Sequence, residues 1–308
     1  MKIKMYNPED KKINFAFFGT DDFSLSVLKK LVEKNLIPSL VISAPDKPSG
    51  RGNKIIFSAI KKWSLENGVE ILQPEKLGPD FINDLKNKFS QFDFFVVASY
   101  GKIIPKQVLD LPKKGSLNVH PSLLPKYRGS SPIETAILND ELRTGVTIML
   151  MDEAMDHGPI IRQGEIKFDE WPSKIEVEQK LAEMGGSLLC EIVNSNKDEK
   201  FVGQEQNHAE ATFTKKINKD DGLIDFKDIL EAGENSKKSR NLFLKIIALN
   251  PWPSVFFKIH HREKEVRVKI TAAKWENGLL KIERVIPEGK KQMDWQSFKT
   301  GYLLGQKN

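Results

Sequence analysis

The chain has one cysteine, Cys190, among 308 residues, which rules out an internal disulfide and a cysteine-based zinc site. No apolar run approaches the ~20 residues that a membrane-spanning helix requires. Met1 to Lys12 carry charge with no following h-region that ends in small residues, a pattern unlike a secretory signal and too poor in arginine for an organelle presequence. No role is assigned to these twelve residues, and neither internal repeats nor low-complexity tracts occur. These absences predict a soluble protein of a reducing compartment, long enough for two domains.

Hydrophobic residues make up 39% of the chain and charged residues 29%, as in globular proteins and unlike disordered ones. The net charge of +6 is unevenly shared. Residues 1–210 hold 28 Lys and Arg against 30 Asp and Glu, a net of −2, while residues 211–308 hold 20 against 12, a net of +8. A basic second part suits an anionic partner; a lysine coat kept for solubility accounts for the same numbers.

Through the first two thirds, short apolar runs alternate with amphipathic stretches. Strands are predicted at Ile13–Phe18, Leu36–Ser43, Val69–Leu72, Phe92–Ala98, Ser116–His120 and Val146–Met151. Helices are predicted at Phe23–Lys34, Ser58–Asn67, Pro79–Lys88 and Lys174–Val193. Such alternation makes an open α/β sheet with right-handed crossovers. Ligands bind such sheets outside the carboxyl ends of the strands, where the polar clusters fall: Gly19-Thr20, Ala44 to Lys54, Ser99-Tyr100-Gly101, Asn118-Val119-His120 and the loop after Met151. Residues 203–210 lack periodicity and read as a linker between domains at 1–202 and 211–308. The second domain reads as helical over Asp225–Ala248, then as a small sheet or barrel with strands at Val255–Ile259, Val266–Ala272 and Leu279–Val285.

Asn118 and His120 alternate along a strand, so both project from one face, and Pro121 ends the strand there. Alone, this pair is as readily a structural cap for a loop. Ser122 to Gly129 follow as a rigid loop rich in backbone donors. Asp152 and Asp156 lie after another strand, where a single Asp is usually a turn former; spacing does not choose between them. Ser49-Gly50-Arg51-Gly52-Asn53-Lys54 is cationic and glycine-flanked, suited to gripping phosphates or to being an ordinary surface loop.

Taken together, Asn118-x-His120-Pro-Ser-Leu-Leu-Pro-x-Tyr-Arg-Gly129, Thr144-Gly-Val-Thr-Ile148 and Met155-Asp156-His-Gly158 closely resemble the folate-dependent formyltransferases. Gly19-Thr-Asp-Asp-Phe23, Pro45 to Gly52 and Val97-Ala-Ser-Tyr-Gly101 narrow the resemblance to the branch of that family acting on methionyl-tRNA. Thr212 to Lys216, Asp221 to Asp225, Asn250-Pro-Trp-Pro253 and Pro287 to Lys291 extend it through the second part. The resemblance implies a Rossmann-like, mostly parallel sheet with a smaller C-terminal OB-like β-barrel, and transfer of the formyl group of 10-formyltetrahydrofolate to the α-amine of methionyl-initiator tRNA in translation initiation. It places catalysis on Asn118, His120 and Asp156. Folate contacts fall on Ser122, Leu123, Leu124 and Pro125, with Tyr100 and Gly101 beside them. It places tRNA contacts on Arg51 and Lys54 in the loop, and Lys215, Lys216, Lys290 and Lys291 are phosphate contacts if the second domain cradles tRNA. A monomer in the bacterial cytoplasm, free of membrane, is implied as well. The stretch between Val266 and Pro287 is shorter than usual for the family, so the barrel is expected to lack one or two strands.

The chemistry accounts for these residue types. An amine attacking a formyl carbon generates a tetrahedral intermediate with a negative oxygen, and preorganised donors aimed at that oxygen are worth about 10²–10³ in rate each. Asn118 offers a neutral donor and His120 one whose charge is adjustable. Asp156 holds the imidazole and accepts a proton. No metal is called for, since a formyl on an aniline-type nitrogen is already activated. A sugar-amine N-formyltransferase and a folate deformylase resemble the same trio, and an RNA-binding protein keeping only the shape is a third reading. The cationic loop and basic second part favour tRNA over a nucleotide sugar, and the complete trio argues against mere binding.

Overall fold

The computed structural model describes residues 13–49, 54–89, 91–196, 199–232 and 235–303. In chain order it holds β1 (Phe15–Gly19), α1 (Asp22–Glu33), β2 (Leu40–Ile42), β3 (Lys47–Ser49), β4 (Lys54–Ile56), α2 (Ala59–Asn67), β5 (Ile71–Leu72), α3 (Pro79–Lys88), β6 (Phe94–Ala98), α4 (Lys106–Leu109) and β7 (Ser116–His120). There follow α5 (Pro132–Leu138), β8 (Arg143–Leu150), β9 (Ile160–Lys167), α6 (Lys174–Ser195), α7 (Phe226–Ala232) and α8 (Ser236–Leu249). The chain closes with β10 (Val255–His261), β11 (Lys264–Glu276), β12 (Leu279–Pro287), β13 (Met293–Asp294) and α9 (Trp295–Phe298).

Seven strands form one sheet in the order β5-β2-β1-β6-β7-β8-β9. The pairs from β5 through β7 are parallel, and β8 joins β7 antiparallel, with Asn118 opposite Met149 and His120 opposite Thr147. Every residue of β1, β6 and β7 is buried, as strands covered on both faces must be. Phe15 stacks on Phe94 with ring centroids 5.1 Å apart, and Phe18 meets both Phe95 and Tyr100.

The strand ends are tied together by short polar side chains. Thr20 Oγ donates to the Tyr100 carbonyl at 2.9 Å and accepts from the Ala44 amide at 3.3 Å, so one hydroxyl links the loops after β1, β2 and β6. Asp21 caps α1 by accepting from the Ser24 amide at 3.0 Å, the usual way of satisfying an orphan donor at a helix start. At Gly19 a Cβ would lie 2.7 Å from both Phe17 and Ser24, which fixes glycine at this turn.

The chain divides into two compact units that do not follow one cut in the sequence. The first takes the described residues of Met1–Arg128, Thr144–Ile166 and Glu178–Phe213; the second takes Gly129–Arg143, Lys167–Val177 and Thr214–Asn308. The second holds a four-stranded antiparallel sheet in the order β10-β11-β12-β13. An OB barrel has five strands, against four in this sheet among the described residues. Arg240 on α8 ties distant segments of this unit together. Its guanidinium grips Asp140 through Nε at 2.9 Å and Nη2 at 2.7 Å, and Glu170 through Nη1 at 2.5 Å. Trp171 donates to the same Asp140 at 3.1 Å. Two-point guanidinium–carboxylate pairs are among the stronger polar contacts of proteins.

Candidate active site

Asn118 and His120 stand at the carboxyl end of β7, both buried, His120 to 4% exposure. Asp156 reaches them from the loop after β8. Its Oδ1 lies 3.3 Å from Asn118 Nδ2 and 3.6 Å from His120 Nδ1. His120 Nε2 lies 2.9 Å from the Tyr127 carbonyl. A carbonyl only accepts, so Nε2 carries a hydrogen and Nδ1 is the nitrogen that faces the carboxyl group.

The two candidate carboxylates part company here. Asp152 Oδ2 pairs with His157 Nδ1 at 2.7 Å, while Asp156 turns to the trio. Asp156 sits at φ +49°, a region non-glycine residues enter at a cost, and its loop presses on β8, since a Cβ on Gly158 would lie 2.1 Å from the Leu150 carbonyl. His157 stacks on His208 at 4.0 Å and 5°.

The loop at Ser122–Pro125 is rigid because it satisfies itself. The Leu124 amide donates to Thr147 Oγ at 3.1 Å, the Thr147 hydroxyl donates to the Ser122 carbonyl at 2.6 Å, and Gln163 Nε2 donates to the Leu124 carbonyl at 2.8 Å. The Ser122 amide donates to the His120 carbonyl at 2.9 Å, the Lys126 amide to the Leu123 carbonyl at 3.2 Å, and the Tyr127 amide to Thr212 Oγ at 2.8 Å. This corrects the expectation of a loop rich in donors, since most of its amides are already engaged within the protein. Ser122 and Leu124 are buried, while Leu123 and Pro125 remain half-buried. Tyr100 is buried in the aromatic core; its hydroxyl has no partner among the described residues, and burial pushes its pKa up to about 12. Gly101 next to it is exposed at φ +79°.

Of the residues expected to meet tRNA, Arg51 lies outside the described residues. Lys54 begins β4, which pairs antiparallel with β3; its side chain is likewise outside the described part. Lys215 and Lys216 are exposed in the second unit, where the Lys215 carbonyl accepts from Ser131 Oγ and the Lys216 carbonyl from Asn218. Lys290 and Lys291 are exposed on the turn between β12 and β13, which is closed by the Lys290 amide on the Pro287 carbonyl at 3.0 Å.

Sequence reasoning missed Gln206 and Arg128 as contributors to this site. Both are buried and bond to each other, and Gln206 bonds in turn to the Asp156 loop. Arg128 was visible only as the arginine of the Tyr-Arg-Gly motif; a lone Gln in an aperiodic stretch gives no signal.

Residues 11–193 match the model of the family described as formyl transferase. The chain is 36% identical over 308 residues to a methionyl-tRNA formyltransferase of Thermodesulfovibrio yellowstonii, covering 94% of this chain and 96% of that one. It is 39% identical over 246 residues to a methionyl-tRNA formyltransferase of Caldanaerobacter subterraneus subsp. tengcongensis, covering 79% and 76%. Its fold is similar to that of a solved methionyl-tRNA formyltransferase from Clostridium thermocellum, with a TM-score of 0.61 at 15% identity, over 92% of this chain and 99% of that one.

Proposed function

The chain belongs to the formyl transferase family, and from that premise we propose that it moves the formyl group of 10-formyltetrahydrofolate onto the α-amine of methionyl-initiator tRNA. The observation carrying this reading is the convergence of Asn118, His120 and Asp156 at one strand end, where His120 has a single nitrogen to offer. The extent of the likeness to the relatives, running through both units, supports tRNA as the acceptor.

In this mechanism the neutral α-amine adds to the formyl carbon. Asn118 Nδ2 keeps one hydrogen on Asp156 and turns the other to the oxygen that gains charge. Nδ1 of His120 is the ring nitrogen left to face that oxygen and Asp156, because Nε2 is engaged by Tyr127. As the new C–N bond forms, the amine nitrogen loses a proton to Asp156. As the bond to the folate nitrogen breaks, that nitrogen regains one, so the site ends as it began. Leu123 and Pro125 offer the loop's half-buried apolar surface to the folate, with Tyr100 and Gly101 nearby in sequence order at the next strand end. Residues 1–202 carry this chemistry in our reading. Residues 203–210 connect them to residues 211–308, where Lys215, Lys216, Lys290 and Lys291 meet tRNA phosphates alongside Arg51 and Lys54. We place the reaction in the bacterial cytoplasm on a monomer that has no membrane association.

The test offers labelled 10-formyltetrahydrofolate with methionyl-tRNA in one arm and a sugar-amine nucleotide in another. Label on methionine is expected. Label on the sugar alone overturns the tRNA reading, and labelled free formate alone replaces transfer by hydrolysis.

A further inference from the structure

Gln206 lies in the aperiodic stretch assigned to the linker, yet it is only 5% exposed. Its amide nitrogen donates to the carbonyls of Asp156, at 3.0 Å, and Gly158, at 2.8 Å. Its amide oxygen accepts from Arg128 Nε at 3.3 Å and Nη2 at 2.7 Å. Carbonyls only accept and a guanidinium only donates, so this amide has one orientation. Arg128 directly follows Tyr127, whose carbonyl holds His120 Nε2. One side chain therefore joins the loop bearing Asp156 to the loop that orients His120.

The backbone on either side of Gln206 reaches the same two loops. Gln204 and Ile160 exchange backbone hydrogen bonds at 2.7 and 2.8 Å, and the Thr212 carbonyl accepts from the Arg128 amide at 2.8 Å. Asp156 and Tyr127 both hold positive φ, +49° and +61°, and such conformations persist only where surrounding contacts hold them. For Asp156 two of those contacts are the hydrogen bonds from Gln206 to its own carbonyl and to that of Gly158.

We propose that Gln206 is a positioning residue for the transfer: by gripping the Asp156 and Gly158 carbonyls while anchored on Arg128, it sets the Asp156 carboxyl group against His120 Nδ1. It touches no substrate. What the positioned pair accomplishes rests on the proposed function; the positioning itself does not.

Gln206→Glu tests this, because it keeps the size and the acceptor for Arg128 but presents oxygen to both carbonyls. The measurements are kcat and KM for both substrates, the melting temperature, and the ¹⁵N resonance of His120 Nδ1 in the substrate-free protein. The expected result is a kcat lower by about 10²-fold, the scale on which a displacement of about 1 Å acts, with both KM values near wild type and a displaced His120 resonance. Gln206→Met, which buries no charge, is measured in the same way if the first variant fails to fold. An unchanged kcat overturns the proposal. So does a loss of activity that follows the melting temperature while the His120 resonance stays put, since that is the mark of packing alone. If the wild-type protein transfers no formyl group, the functional reading fails, and the His120 resonance still decides the role of Gln206.

Discussion

In the first unit the ionisable groups at and behind the candidate site are buried and engaged: His120 between Tyr127 and Asp156, Arg128 on Gln206 and His208. In the second, the lysines assigned to tRNA stand exposed, on a surface where other cations pair with neighbouring acids, as in Lys258–Glu265, Lys274–Glu283 and Lys281–Glu276. Solvated pairs of that kind contribute about 0–1 kcal/mol each. Groups fixed in a site shielded from water act far more strongly on developing charge, because they need no reorganisation as it forms. One unit thus concentrates its effect in a few atoms, and the other spreads it over many weak, salt-screened ones.

The contrast can be broken from either side. A large effect belongs to Asn118→Ala, which removes a neutral donor from the trio: kcat should fall by about 10²–10³ with tRNA affinity unchanged in a binding assay. A loss of less than tenfold would mean that the amide does not meet the reacting oxygen. Arg51→Ala should come next, weakening use of tRNA by about tenfold, the scale of a lost charged contact, while folate titrations match wild type. Equal loss toward both substrates would move that loop out of the tRNA interface. The double change Lys290→Ala with Lys291→Ala should act more gently, lowering the slope of log affinity against log salt by up to about 2 and sparing kcat at saturating tRNA. An unaltered slope would return both lysines to plain surface charge. The smallest expected signal is at Cys190, whose thiol burial pushes up to about 11. At pH 8 only about one such thiol in a thousand is ionised, so alkylation of the native protein should be negligible and appear on unfolding. Rapid native labelling would show the helix face around Cys190 to be open.

Much of the architecture is legible in the sequence because the strands of the sheet's centre are continuous apolar runs. Ser116–His120 and Pro79–Lys88 emerge with the predicted bounds. The elements left unpredicted lack such signals. In β9, Ile-Ile-Arg-Gln-Gly-Glu-Ile-Lys, no residue is fully buried, as befits an edge strand, and α5 has seven residues, about two turns. Trp252, between two prolines, is 53% exposed. The make-up of the second unit is invisible in sequence because its partners lie far apart, as with Arg240 and its acids 70 and 100 residues away. Asn118 and His120 were readable as a pair from β alternation. Choosing Asp156 over Asp152 needed the family likeness, and the turn at φ +49° now supplies a physical reason for which carboxylate faces His120. The part of Gln206 was out of reach, since its partners lie 48 to 78 residues away.

The most direct test of the trio as the transfer centre is a single-turnover comparison of the wild-type protein with Asp156→Asn, using methionyl-tRNA and saturating 10-formyltetrahydrofolate. Asparagine keeps the shape but cannot take up the amine proton, so the rate of N-formylmethionine appearance should drop by about 10²–10⁴ while folate affinity holds. Formylation at the wild-type rate would contradict the assignment of Asp156, and with it the account of how this site works.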